Sequence, residues 1–297
     1  MMMSCVSSLA FGRGTPKNSD PAPLSKAPRS PAGKETETGA EKTVLEAQRK
    51  IYSGGFYLSK RWRWIFRDDC RYRRRRLAEV LDEIGYDPRE RRVFDVGFGT
   101  GDLLFTFPES CTLMGVELSP EAVEAMLGEP RVKRYAGRWF EVVPENGETP
   151  LPPRPVDAVI TSHVLEHVPD DRAFLDRLAS ALKPGGLMIN FVPVETAGFD
   201  PKHIRTYTSE SLADLMASAG LELVHAESNY HICCGPLKWL DHPARHNWSA
   251  LSWLEGLRHV ILSPIPYRVT RLVERMLAAM GVAPNQALVI GRKTGSR

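Results

Sequence analysis

The spacing of apolar residues along this chain changes several times, and each change marks an element. Leu77, Val80, Leu81 and Ile84 recur at three- and four-residue intervals, which predicts a helix over about Arg71 to Ile84 with one apolar stripe. Val93-Phe-Asp-Val96 is a short apolar run that predicts a buried strand. Gly97, Gly99 and Gly101 follow at alternate positions, and apolar residues resume at Leu103 and Leu104. That pattern predicts a tight loop and the start of a helix. Leu113 to Glu117 predicts a second strand, and Ser119-Pro120 an N-cap with proline at the first helical position. Strand and helix patterns then alternate, which argues for a parallel α/β sheet. An amphipathic helix is predicted near Val269 to Met280.

The flanking regions differ in character. Residues 1–42 are rich in Pro, Ser, Gly, Lys and Thr and hold few large apolar side chains. Such a segment cannot bury enough surface to offset ordering entropy, so it is expected to be disordered. Residues 43–92 are expected to form an N-terminal helical cap, with Val44, Leu45, Ile51 and Tyr52 on one apolar face and Trp62, Trp64, Ile65 and Phe66 following. The stretch Tyr52 to Tyr57 reads as a mobile flap. Residues 231–285, which carry Trp239, Trp248, Trp253 and Tyr267, form a long insertion before the last predicted strand. Long aromatic insertions form lids or binding surfaces, and a dimer interface is the rival reading.

The glycine loop carries the chemistry. Glycine admits backbone angles closed to other residues, and without a Cβ the loop can lie directly against a ligand. A turn at the C-terminal end of a strand is where open α/β sheets bind nucleotide-like cofactors. A dinucleotide fingerprint would place its third glycine one residue later, where this chain has Asp102. Glu117 lies about twenty residues beyond the loop, the spacing of a ribose-binding carboxylate.

The run Asp95-x-Gly97-x-Gly99-x-Gly101 resembles the first motif of class I S-adenosylmethionine (SAM)-dependent methyltransferases. Val156 to Pro169, containing Ser162-His163-Val-Leu-Glu166-His167, resembles the fourth strand and following loop of small-molecule members. Leu182 to Phe191 is similar to their helix end, Pro-Gly-Gly turn and fifth strand. His203 to Thr208 with Ser211 to Val224 resembles the segment before the penultimate helix and the sixth strand, and Ala287 to Lys293 the seventh. The resemblance implies a Rossmann-like, seven-stranded, mostly parallel sheet with helices on both faces, over residues 93–297, and SAM as cofactor. It implies cofactor binding by Asp95, Gly97, Gly99, Gly101, Glu117 and Leu118, with Leu118 packed on adenine. Thr161 and Ser162 fall near the methionine or adenosine end. Trp139 and Phe140 are each open to adenine stacking or to the core.

Composition bounds the remaining readings. Hydrophobic residues make up 42% of the 297, as in a globular protein with a buried core, and a net charge of +3 implies no particular partner. The five cysteines include no C-x-x-C pair, which suggests reduced thiols in a cytoplasmic protein. No apolar run approaches the ~20 residues of a membrane-spanning helix, and the N-terminus does not read as a signal peptide. Arg67, Arg71 and Arg73 to Arg76 read as a solvated helix face, partly paired with Asp68, Asp69, Glu79, Asp82 and Glu83. An RNA-contacting surface is the alternative.

SAM presents an electrophilic methyl group, so such an enzyme mainly aligns its reactants and excludes water. A base helps if the acceptor is a hydroxyl. His163, just after the fourth strand, and His203 are the candidate catalytic residues, although His163 also fits as a lining of the cofactor pocket. Arg205 and Tyr207 are the candidate substrate-binding residues. Glu166 and His167 read as structural. His225, His231, His242, His246 and His259 show no metal spacing, and no metal is expected. The leading reading is methyl transfer to a small-molecule acceptor, at oxygen before nitrogen or carbon. A non-catalytic SAM-binding protein, an RNA methyltransferase using Arg71 to Arg76, and a nucleotide-dependent oxidoreductase are the competitors.

Overall fold

A computed structural model describes residues 67–194, 203–233 and 261–295. The expectations for residues 1–42, for the cap up to residue 66 and for residues 234–260 lie outside these residues. Seven strands form one sheet: β1 (Arg92–Val96), β2 (Thr112–Glu117), β3 (Gly137–Val142), β4 (Val156–Ser162), β5 (Leu182–Pro193), β6 (Leu221–Asn229) and β7 (Gln286–Lys293). Their spatial order is β3-β2-β1-β4-β5-β7-β6. β1 pairs in parallel with both β2 and β4, whereas β7 runs antiparallel to β5 and β6. The order reverses at β1, so the crevice beyond the C-terminal ends of β1 and β4 is the topological switch point where such sheets bind ligands.

Strand periodicity divides the core into two layers. Val93, Leu113, Ala158, Ile160, Leu187, Ile189, Leu288 and Ile290 belong to one cluster. The alternating Phe94, Met114, Val159, Met188, Val192 and Val289 belong to the other. Helix α1 (Asp68–Glu83) covers the first layer with Leu77, Val80 and Leu81, together with α2 (Pro120–Gly128) through Ala122, Val123 and Met126. Helix α3 (Asp171–Ala181) and α4 (Ser209–Ser218) cover the second with Leu175, Leu178, Leu212 and Met216. Ser119 caps α2 by accepting a hydrogen bond from Ala122 N, with Pro120 at the first helical position.

Two elements depart from expectation. The predicted helix after the glycine loop is a single 3-10 turn, Leu104–Thr106. Pro108 explains this: it lacks an N–H and drives Phe107 into extended backbone, here φ −87° and ψ 147°. The Pro-Gly-Gly segment is absorbed into β5, where the register with β4 shifts between Val156 and Ala158.

The arginines of α1 are internal braces as well as surface charges. Arg76 is buried and pairs with Glu79, Glu83 and Glu227 of β6 at 2.7–2.9 Å. Arg71 donates to the backbone and side-chain oxygens of Ser263. Arg75 lies over the Tyr267 ring. The expected pairing with Asp69, Glu79 and Glu83 is present, whereas the solvated face is corrected: Arg71, Arg73, Arg75 and Arg76 all engage partners within the fold. Helix α5 (Tyr267–Ala279) lies within the described part of the insertion. It docks on α1 through Tyr267, whose hydroxyl donates to Glu79. Its buried Glu274 accepts from the amides of His231 and Ile232. Cys70 and Cys111 are free, buried thiols.

Candidate cofactor and acceptor site

β1 ends at the switch point and delivers Asp95 and the glycine loop there. Gly97, Gly99 and Gly101 all have positive φ, at 73°, 55° and 77°. Two positions also leave no room for a side chain. A Cβ on Gly97 would come within 2.6 Å of Val164 Cγ2, and one on Gly101 within 2.0 Å of Met126 Cε. The loop is therefore held by backbone shape, with its backbone able to approach a ligand closely.

Glu117, at the end of β2, is almost fully buried. Its Oε2 accepts from Gly99 N at 2.8 Å and its Oε1 from Leu118 N at 2.7 Å. Each carboxylate oxygen has a second lone pair, so the group that shapes the loop can also accept from a ribose. Asp95 is also buried, and its Oδ1 has no hydrogen-bond partner. Burial, together with the Glu117 and Asp102 charges, pushes its carboxyl well above the usual carboxylate range. An orphaned buried carboxylate beside a backbone cradle suits a ligand that brings positive charge and hydroxyls. SAM, with its ammonium, sulfonium and ribose, fits that donor set.

Of the other predicted cofactor residues, Thr161 is fully buried and donates to Asn190 Oδ1 of β5 at 2.6 Å. Ser162 is half-buried at the strand end, and Leu118 packs partly buried against the second core layer. Trp139 and Phe140 both join the core. Trp139 tilts against Phe94, and Phe140 meets Phe98 edge to face.

His163 follows β4 with φ +57°, an uncommon conformation for a non-glycine residue. It is secured on three sides. Its amide donates to Phe191 O at 2.9 Å, its Nε2 lies 2.8 Å from Arg73 Nη1, and its Nδ1 lies 3.4 Å from Glu166 Oε1. An arginine can only donate, so Nε2 accepts and the ring proton sits on Nδ1, toward Glu166. Arg73 also pairs with Asp69 at 3.2 Å. The Arg73 contact was not read from the sequence, because the partners lie 90 residues apart.

His203 and Arg205 are drawn to the same rim by the backbone bond from Ile204 N to Glu166 O, at 2.8 Å. Arg205 pairs with Asp171 and donates to Pro169 O. The Tyr207 hydroxyl donates to the same Asp171 at 2.6 Å. The side chains of both candidate substrate binders thus engage α3. His203 meets His167 edge to face with ring centroids 4.9 Å apart. Ligating atoms of Glu166, His167 and His203 all lie within 4.8 Å of one another, a grouping that sequence spacing did not reveal.

A model of the methyltransferase domain matches residues 70–226, more than half of the chain. The chain belongs to that methyltransferase-domain family. A Mycolicibacterium smegmatis protein assigned as an S-adenosylmethionine-dependent methyltransferase is 26% identical over 171 residues, covering 53% of this chain and 62% of the relative. A ubiquinone/menaquinone biosynthesis C-methyltransferase of Geotalea daltonii is 31% identical over 121 residues, covering 39% and 49%. The chain thus spans less than two thirds of either relative. A crystal structure from Galdieria sulphuraria, provisionally named a sarcosine dimethylglycine methyltransferase, shares the fold. It superposes with a TM-score of 0.51 at 15% identity, covering 74% of this chain and 85% of that one.

Proposed function

We propose that this protein transfers a methyl group from SAM to a small-molecule acceptor, at a hydroxyl oxygen. The observation that carries the reading is the cradle at the switch point: three positive-φ glycines, Glu117 bound to Gly99 N, and the orphaned Asp95 oxygen. SAM bound there supplies a methyl group already activated for displacement. The chain's own part is to bind, align and exclude water, which contributes up to ~7–11 kcal/mol in favourable intramolecular systems. Asp95 and Glu117 hold the cofactor's cationic and ribose ends. His163 takes the acceptor proton once the acceptor displaces Arg73 from Nε2. His203 stands on the same rim.

The relative named as a C-methyltransferase supports a second reading, in which the acceptor atom is carbon. Calorimetry with SAM and S-adenosylhomocysteine tests the cofactor assignment, and methyl-labelled SAM with fractionated extracts tests the acceptor. Label recovered in an alkali- and acid-stable C–CH₃ product would replace the oxygen reading with the carbon one. Absence of saturable SAM binding would overturn both. We also propose that a second copy of the chain covers the outer face of α5, where Val269, Leu272, Met276 and Met280 are 47–74% exposed. Sedimentation should then show a dimer that Leu272→Asp dissociates; a monomeric parent would refute this.

A further inference from the structure

We propose that Glu166, His167 and His203 form a binding site for a divalent first-row transition-metal ion beside the cofactor cradle. The geometry is convergent. Glu166 and His167 come from the 3-10 turn Leu165–His167 after β4, and His203 from the segment before α4. The Ile204–Glu166 backbone bond and the Arg205–Asp171 ion pair clamp the two segments together. One ligating atom from each residue lies within 4.8 Å of the other two. Ligands held ~2.0–2.2 Å from one ion in a tetrahedral array sit about 3.3–3.6 Å apart, so side-chain rotations that draw the atoms about an ångström closer complete the set.

The second observation is independent of that clustering. The Glu166 side chain is 1% exposed, and neither carboxylate oxygen has a hydrogen-bond partner. His163 Nδ1 stands 3.4 Å from Oε1, as an ion-pair neighbour beyond a close hydrogen bond. A buried carboxylate in that condition is costly unless a cation compensates it. His167 and His203 are only half-buried, so the cluster has a path to solvent.

The donor set selects the ion. Two imidazoles and one carboxylate favour Zn²⁺, Mn²⁺, Fe²⁺ or Co²⁺ over Ca²⁺ and Mg²⁺, which take oxygen ligands. His163, directed at Glu166 from outside the set, would orient the ligating carboxylate. The turn adjoins the cofactor loop, since Val164 is the residue against which Gly97 packs. Three protein ligands leave positions for an oxygen of the acceptor. That role rests on the methyltransferase reading; the binding of metal does not.

The test uses the full chain, stripped with a chelator and titrated with ZnCl₂, MnCl₂ or CoCl₂ alone. One saturable ion per chain is expected, with a Co²⁺ visible spectrum showing imidazole coordination. Glu166→Gln and His203→Ala should each weaken binding by at least ~10-fold, the loss that even outer partners cause. S-adenosylhomocysteine affinity in both variants should be unchanged, which also certifies their folding. If Glu166→Gln does not fold, His203→Asn carries the comparison. Failure of all three metals to bind, or binding indifferent to the variants, overturns the site. Metal binding without SAM binding would instead sink the proposed function and leave the site standing.

Discussion

Asp95 carries the sharpest conflict between stability and function among the described residues. The folded state holds its proton more tightly than the unfolded chain does. Its favourable contribution is therefore complete below about pH 4 and is lost as pH rises through the elevated value. Asp95→Asn should raise the melting temperature of the ligand-free protein at pH 7, with the gain shrinking in acid. The same change should weaken SAM binding at least tenfold, because the ligand's positive charge loses its partner. Scanning calorimetry at two pH values, with and without SAM, checks both halves. His163 makes a similar case. Its positive φ stores strain of about 1–3 kcal/mol. His163→Gly should leave stability equal or higher while methyl transfer falls, and a clearly destabilised variant would show that its contacts outweigh the strain. Gly97→Val meets both a forbidden φ and Val164, so loss of SAM binding is expected by calorimetry.

At the scale of elements, α1 is bolted to the sheet by charge as much as by its apolar stripe. Arg76→Met would take from Glu227 its arginine partner, leaving His225 and Asn229, and should cost ~3 kcal/mol in urea unfolding. Burial resists ionisation of Glu227, yet His225 and Arg76 outweigh it and push its carboxyl down to about 2. That stability is present above the ordinary carboxylate pKa and is lost as pH falls toward 2, so the acid unfolding limb should flatten in Glu227→Gln. The helix itself was legible from Leu77, Val80 and Leu81, because burial writes its period into one segment. Its braces were not. Arg73 with His163 and Arg76 with Glu227 join residues 90 and 151 positions apart, and linear sequence carries no record of such distances. The helix expected after Gly101 failed for a local reason that was visible, Pro108, whose effect on Phe107 overrode the apolar run. The cofactor side of the site follows one loop and two strand ends, so it could be read directly. The acceptor side depends on turns after β4 and β5 meeting in space, and so Glu166, His167 and His203 were seen as separate residues.

Across the whole molecule, the alternation of strands and helices specified a parallel sheet, whereas the place of each strand came only from pairing. β7 lies between β5 and β6, and β6 has β7 as its sheet neighbour. In a chain emerging residue by residue from the ribosome, residues 221–229 are made long before 286–293. During that interval β6 has no seat in the sheet, and Glu227 cannot yet sit where Arg76 needs it. Translation therefore runs ahead of assembly: the first helix of the core gains its final ionic partner only after the last strand has been synthesised. Interrupting synthesis between those two points should yield a nascent chain that proteases cut within β6 and α1, until residue 293 clears the exit tunnel.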